Sequence, residues 1–516
     1  MNPKVSFIFS SLVLVAAIMT IDVVTAEAQG THMTSRNTAL GGGGGSYITG
    51  YHSNFVNPAN LMLDERGTRI TIGVFGGLST TAGGGLANIG VYNEHFTSGQ
   101  IINSQNAAQI SDEWFGSGPD GSRSLGFQVS VVPLGVHYQR DNMAFATALR
   151  VRTMGTLSMS KGAFDLGLAG LNSDFFGDPR NVNMDNELVA VTEWSLGYAM
   201  EVWNSGGHFR PGSHRVFAGI APKLIFGMGY VRLAMDSRLQ IQSGENALLV
   251  HDFDYYINTT GDLTDDLNAY YQERRVRDNQ DAELSDFVDS DSFSDLGSGQ
   301  GFGIGFDLGA TYEWYINDID LPVIGSGPQI LRASLSFTDI GSVSFGNNAG
   351  TFRAMDIFEW DGLTVDSDRL DQDFDGEFSD YLEHVLEDSI ASDIYGNFAP
   401  EEISSHSMGL NPIINAGASL TMNKLEVMAD IGTGLNSRGV NRNRLYLALG
   451  AEYNLLSVIP IRSGVRMGGY AGTSVSFGTG LNLKNFEFTA AFMNTPGSSS
   501  RGANVSGALS GLVIRF

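Results

Sequence analysis

Apolar and polar residues alternate one by one along much of this chain. Between residues 143 and 152, Met143, Phe145, Thr147, Leu149 and Val151 share one face of an extended backbone, and Ala144, Ala146, Ala148, Arg150 and Arg152 share the other. A soluble sandwich and a membrane barrel would both shelter the first set from water. The second set, small residues with arginines, suits a watery or tightly packed barrel interior. The last third of the chain repeats the pattern with little interruption. Leu445, Leu447 and Leu449 oppose Tyr446, Ala448 and Gly450; Val475, Phe477, Leu481 and Leu483 oppose Ser474, Ser476, Gly478 and Gly480; Phe486, Phe488 and Phe492 oppose Glu487, Thr489 and Ala491. Each stretch has about 9 to 11 residues, the length that crosses a bilayer as a tilted strand. Lys484-Asn485 is short enough for a tight turn between two of them.

Reading back from Phe516, the alternation predicts strands near 504–516, 486–494, 473–483, 461–469, 444–454, 424–433, 406–421, 329–345, 300–316, 214–242, 188–203, 143–160, 126–139 and 68–78. The count is fourteen, an even number, as in bacterial outer-membrane barrels. With Phe516 at the periplasmic rim, the long connections 79–125, 161–187, 243–299 and 346–405 all fall on the outer side, and turns such as Arg140-Asp141-Asn142 on the inner. This parity requires residues 213–241 to form one long strand; splitting it at Gly227-Met228-Gly229 breaks the alternation. The expected fold is therefore all-β, a transmembrane antiparallel barrel of about 14 strands over residues 68–516.

Composition sharpens this picture. Among 516 residues there are 65 glycines, 31 phenylalanines, no cysteine and only 17% charged residues. Disulfides, thiolate metal sites, cysteine nucleophiles and an acylated lipoprotein anchor are thereby excluded. Lys4, an apolar stretch from Val5 to Ile21 and Ala26-Glu27-Ala28 read as an export signal over residues 1–28. The net charge of −26 disfavours nucleic acid and is concentrated. Residues 262–295 hold 11 acids and 3 bases and residues 356–402 hold 16 acids and 1 base, so two outer excursions carry −23 and the framework is nearly neutral.

Four motifs remain to be weighed. Residues 38–62 combine five glycines, Gly41, Gly42, Gly43, Gly44 and Gly45, with an Asn57-Pro58-Ala59 turn. Glycines allow close approach and positive φ, and Pro58 holds Asn57 extended, so the segment 29–67 suits a plug inside the barrel, where irregular backbone is tolerated. A flexible linker accounts for the glycines but not for the turn. Asp371, Asp373 and Asp375 follow the first half of an acidic calcium loop, yet the twelfth position is Leu382 and Asp380 falls at the tenth. These four aspartates are candidate ligands of a looser Ca2+ site, the one cofactor considered. Phe164, Leu166, Leu168 and Leu171 make an outer connection apolar, as a ligand-catching patch or as packing. Gly301-Phe302-Gly303-Ile304-Gly305 lacks a Lys-Ser or Lys-Thr partner and reads as strand packing. No hydrolase signature or histidine metal spacing occurs, so no enzyme activity is expected.

Ala39-Leu40-Gly41-Gly42 and Asn57-Pro58-Ala59-Asn60-Leu61 after an export signal, with a terminal Phe516, resemble the FadL-like outer-membrane barrel superfamily. That superfamily includes fatty-acid and hydrocarbon channels and PorV-like relatives. The resemblance implies a fourteen-stranded barrel whose amino-terminal segment is a hatch in the lumen. It further implies an outer-membrane location among lipid and passive transport of a small hydrophobic solute. The alternative is a PorV-like barrel that binds a surface or secreted protein and passes no solute, favoured by the acidic loops.

Overall fold

The computed structural model describes residues 32–63, 69–97, 101–207, 210–242, 248–277, 299–321, 324–360, 399–401, 403–436, 443–469, 473–483, 486–495 and 503–516, with 99, 279, 282 and 284–288 besides. Fourteen strands form the wall: β1 (Ile70–Gly84), β2 (Ser122–Arg140), β3 (Met143–Ser160), β4 (Met184–Ser205), β5 (His214–Gln242), β6 (Gly301–Leu321), β7 (Gly325–Phe345), β8 (Ile413–Met422), β9 (Leu425–Gly434), β10 (Tyr446–Leu455), β11 (Ile459–Gly468), β12 (Ser474–Asn482), β13 (Phe486–Asn494) and β14 (Ala503–Arg515). Each pairs antiparallel with the next. β1 pairs with β14, Thr71 opposite Arg515 through Gly84 opposite Ala503, and this closes the ring.

The pleat sorts residues as the alternation predicts. On β3, Ala144, Ala146, Ala148, Arg150 and Arg152 are buried inside while Phe145 is 46% exposed outside. Phe302, Ile304, Leu449, Phe477 and Phe492 continue this apolar outer face around the wall. A band of that size in water would drive aggregation; facing lipid, it holds the barrel in the outer membrane. Among the described residues no helix is long and apolar enough to cross a membrane.

β5 is one strand of 29 residues, as parity demands. Its inner half pairs with β6 from His214–Trp314 to Gly227–Gly301. Met228 is then a bulge, since Val191 pairs with Gly227 and Ala190 with Gly229. Beyond it the same edge takes a strand at Leu248–Thr260, which in turn pairs with Ala349–Trp360. These two strands correct the expectation of loops over 243–299 and 346–405. β1 also runs on to Gly84 and β2 begins at Ser122, so the 79–125 connection is shorter than expected. The strand expected over 406–421 is two pieces, His406–Gly409 and β8, broken at 410–412. Pro412 has no amide to donate there, and Asp339 opposite adopts φ +56°. The export signal, the Lys484-Asn485 turn and Asp371, Asp373, Asp375 and Asp380 lie outside the described residues.

The outer strand Leu248–Thr260 should be sensitive to acid. Burial pushes the His251 imidazole down to about 4, with Asp252 acting the other way, and its Nε2 lies 3.0 Å from Tyr255 Oη. Above the ordinary imidazole value near 6.5 both folded and unfolded segments are neutral at this position. As pH falls from there toward 4, the unfolded segment takes up a proton that the folded one refuses, so stability is lost. Amide hydrogen exchange over 248–260, corrected for the intrinsic rate, should accelerate across that window and stop doing so in His251→Phe. Equal acceleration in both proteins would refute the assignment.

Candidate functional site

Residues 32–63 lie against the inward-facing side of the wall, nearly all of them buried. The segment starts with helix α1 (Ser35–Ala39), capped by Thr34: its hydroxyl accepts from the Asn37 amide, and its amide donates to Asn37 Oδ1 at 2.6 Å. The helix ends because Gly41 and Gly42 take φ of +88° and +83°, and the Gly42 amide folds back onto the Asn37 carbonyl at 2.6 Å. Close approach explains the next glycines. A Cβ on Gly43 would collide with the Asp430 carboxylate, and one on wall residue Gly464 with the backbone of Leu40 and Gly41. Glycine is needed at each of these two contacts, once on the segment and once on the wall.

The two sequence motifs meet at Gly45. Its amide donates to Asp430 Oδ1 on β9 at 2.9 Å. Its carbonyl accepts from Asn57 Nδ2 at 2.7 Å and Asn60 Nδ2 at 2.9 Å. Asn57 also caps the short 3₁₀ turn Pro58–Met62 through the Ala59 amide, with Pro58 at the first position where no donor is needed. From that turn Asn57 Nδ2 donates to Thr311 Oγ1 on β6 at 2.9 Å, and Thr311 donates to Asn60 Oδ1 at 2.7 Å.

Charged and aromatic contacts complete the docking. Arg36 donates to Glu426 Oε2 at 2.6 Å and Glu452 Oε2 at 3.0 Å, on β9 and β10. Ser476 on β12 donates to the Ala39 carbonyl at 2.8 Å, and Ser35 Oγ lies 2.5 Å from Thr489 Oγ1 on β13. Opposite, Tyr51 enters a groove where Gly73, Gly76 and Gly135 leave room, and donates to the Gly76 carbonyl at 3.2 Å. Leu61, Met62 and Leu63 pack on Ala144, Ala146, Ala148 and Ala199, so small wall residues make space for large plug residues. Burying each large side chain contributes roughly 1.5–3 kcal/mol.

Beneath the plug residue Phe55 lies a group of six charges. Arg150 stands 4.1 Å over its ring and Lys223 5.7 Å. Arg150 donates to Glu193 Oε2 at 2.6 Å and Asp339 Oδ1 at 3.0 Å; Arg152 reaches Asp339 Oδ2 at 2.8 Å and Glu193 Oε1 at 2.5 Å. Lys223 Nζ lies 2.6 Å from Asp339 Oδ1 and 2.8 Å from Asp307 Oδ2. Three cations balance three anions, which is the condition for keeping such groups buried. The lumen-facing arginines stood out in the alternation. Glu193, Asp307 and Asp430 were equally visible as lone acids on the small-residue face of wall strands, whereas Asp339 shares its parity with the outward Leu335 and turns inward only at the irregularity where its φ is +56°.

The outer apolar candidates do not form one surface. Helix α4 (Lys161–Ala169), which follows two helices in the first outer connection, α2 (Ile89–His95) and α3 (Ser104–Phe115), carries three of them. Phe164 packs 5.3 Å from Trp114 and 5.0 Å from Phe115 between ring centres. Leu166 and Leu168 pack on Ala107, Phe175, Phe176 and Leu239. Leu171 stands apart, 59% exposed. These contacts make the helix part of a packed cap. A cleft of about 780 Å³ beside it is polar, lined by Asp120, Asp174, Asp178, Arg180, Asn181 and Arg238 among others. Burial raises the carboxyl of Asp165 beneath the cap, against the Arg180 guanidinium 2.6 Å away.

Residues 67–492 match the family described as "Family of unknown function (DUF5723)". No curated protein matches the sequence. The structure is similar to the toluene transporter TbuX of Ralstonia pickettii, at 13% identity and a TM-score of 0.42 over 94% of this chain and 99% of that one. It is similar to the toluene transporter TodX of P. putida, at 12% and 0.43 over 94% and 99%. A FadL homologue of Pseudomonas aeruginosa stands at 12% and 0.38 over 95% and 97%.

Proposed function

Because the chain belongs to DUF5723, a family of unknown function, its role has to be argued from its own geometry, and we propose that it is an outer-membrane channel closed by residues 32–63. The solute is a small hydrophobic compound, and passage is passive. One observation carries this: residues 32–63 are held inside the wall by hydrogen bonds, ion pairs and close glycine contacts, which can reform with water or solute. A solute opens such a plug only by binding the displaced arrangement more tightly than the docked one. The toluene transporters above are in keeping with that solute class.

Ser35 and Thr489 offer the test, because their side-chain oxygens lie 2.5 Å apart and the chain has no other cysteine to interfere. In cells with a lipopolysaccharide outer leaflet, the wild type should raise uptake of a radiolabelled monoaromatic hydrocarbon. The oxidised Ser35→Cys/Thr489→Cys pair should abolish the rise and reductant should restore it. Uptake that ignores the cross-link would sink the gating proposal, and absence of any rise would sink transport.

The runner-up is a protein-binding barrel. It draws on the outer sheet built from β5, Leu248–Thr260 and Ala349–Trp360, where Met355 and Ile357 are 59% and 61% exposed. A stoichiometric protein that leaves with the barrel on purification, and is lost on Met355→Lys/Ile357→Lys, would favour this role.

A further inference from the structure

The first outer connection holds a group of side chains that the channel does not use. His95 ends α2, its ring buried, with Nε2 2.8 Å from Glu113 Oε2 in the last turn of α3. Glu94 joins them, so that one ligand atom from each of the three residues lies within 4.8 Å of the others. Gln109 Nε2 donates to the other Glu113 oxygen at 2.9 Å and so orients the carboxylate toward His95. Two carboxylates beside one imidazole are a donor set that a divalent cation can bridge. The cations that touch α3 and the residues after it are directed to other groups: Lys161 to Asp112 and the Gly116 carbonyl, and Arg123 to the Trp114 carbonyl at 3.1 Å.

We propose that Glu94, His95 and Glu113 bind a divalent transition-metal ion, of which Zn2+ fits best, and that the ion clamps α2 to α3. The donor chemistry selects the ion. Imidazole with carboxylates suits borderline zinc, with water in the fourth place, whereas Ca2+ and Mg2+ ask for all-oxygen shells. Ligand bonds of about 2.0–2.2 Å put tetrahedral donors roughly 3.3–3.6 Å apart, so His95 Nε2 and Glu113 Oε2, now 2.8 Å apart, would open slightly while any pair near the 4.8 Å limit closes in. The ligands are also chain neighbours of a row of aromatic rings. Tyr92 stacks on Phe96 at 5.7 Å, Phe96 meets Trp114 edge-on at 6.1 Å, and Trp114 meets Phe164 at 5.3 Å. Phe96 follows His95 and Trp114 follows Glu113, so binding fixes the row where it is exposed to the outside. Zinc would thus set the rigidity of the outermost aromatic surface, whatever passes through the barrel.

The test is calorimetry on the untagged full chain in detergent micelles, with ZnCl2 and CaCl2 injected separately against a detergent blank. One zinc should bind per chain with micromolar affinity and calcium should give no heat. His95→Ala should weaken zinc at least 30-fold and Glu113→Gln about 10-fold, both proteins keeping the heat-dependent gel mobility of a folded barrel. Cobalt should give a visible absorption band that His95→Ala removes. Should His95→Ala lose that mobility, Glu94→Gln/Glu113→Gln takes its place with the same expectation. Absence of zinc heat in the wild type, or variants that bind zinc as the wild type does, would overturn the proposal.

Discussion

A barrel lacking residues 32–63 is expected to conduct ions steadily across a planar bilayer, where the complete chain shows only brief openings or none. Fourteen strands enclose more space than wall side chains fill: eight-stranded barrels are packed by their own residues, and sixteen-stranded ones hold water. Here the wall's inward positions are often alanine or glycine, such as Ala144, Ala146, Ala148 and Gly464, and the volume they leave is taken by Leu40, Tyr51, Phe55 and Leu61. Graded variants should follow the same order. Arg36→Ala removes two ion pairs to Glu426 and Glu452, and Gly43→Val forces the chain off Asp430; each should raise the open fraction short of full deletion. Closed traces from the deleted barrel, folded by its gel mobility, would mean that the wall closes without the plug.

Lys223→Met is expected to be the most damaging single change in the wall. It removes one of three cations from a buried group and leaves Asp307 and Asp339 facing each other with less compensation. Breaking a buried pair in this way costs about 3–5 kcal/mol. Lys223→Met/Asp307→Asn should regain most of the loss, because two cations then face two anions and Asn keeps an acceptor for the Asp339 amide, 2.5 Å away. Urea titrations of folding into vesicles measure both. A double variant no better than the single one would show that the loss comes from packing around the Lys223 stem.

What could be foreseen followed from period and parity. Strict alternation located all fourteen wall strands, and the even count made residues 214–242 one strand despite Gly227-Met228-Gly229 in its middle. The glycines and the Asn57-Pro58-Ala59 turn pointed to the lumen because only a close approach and a fixed turn explain both. Other features hid for physical reasons. Leu248–Thr260 does alternate, His251, Phe253, Tyr255 and Ile257 against Asp252, Asp254 and Tyr256, but its acids resemble a solvated loop until Arg353 is seen beside Asp254 at 2.6 Å. Arg150 and Asp339 are 189 residues apart, and no local period relates positions so distant. The group at Glu94, His95 and Glu113 arises from two helices whose crossing no spacing predicts.

Helix α1 lies against β11, β12, β13 and β14, the last part of the wall, although it belongs to the first part of the chain. In sequence the segment precedes β1, the partner of β14 across the closing seam, and Tyr51 packs on Gly73 and Gly76 of that strand. The plug therefore bridges that seam from within, and the order of assembly follows. We infer that the segment docks while the wall is still an open sheet, because its contacts on β1 and on β11 to β14 lie on both sides of the seam. On that order the final hairpins curl onto a surface already in place, and the complete chain should close faster than the barrel that lacks residues 32–63.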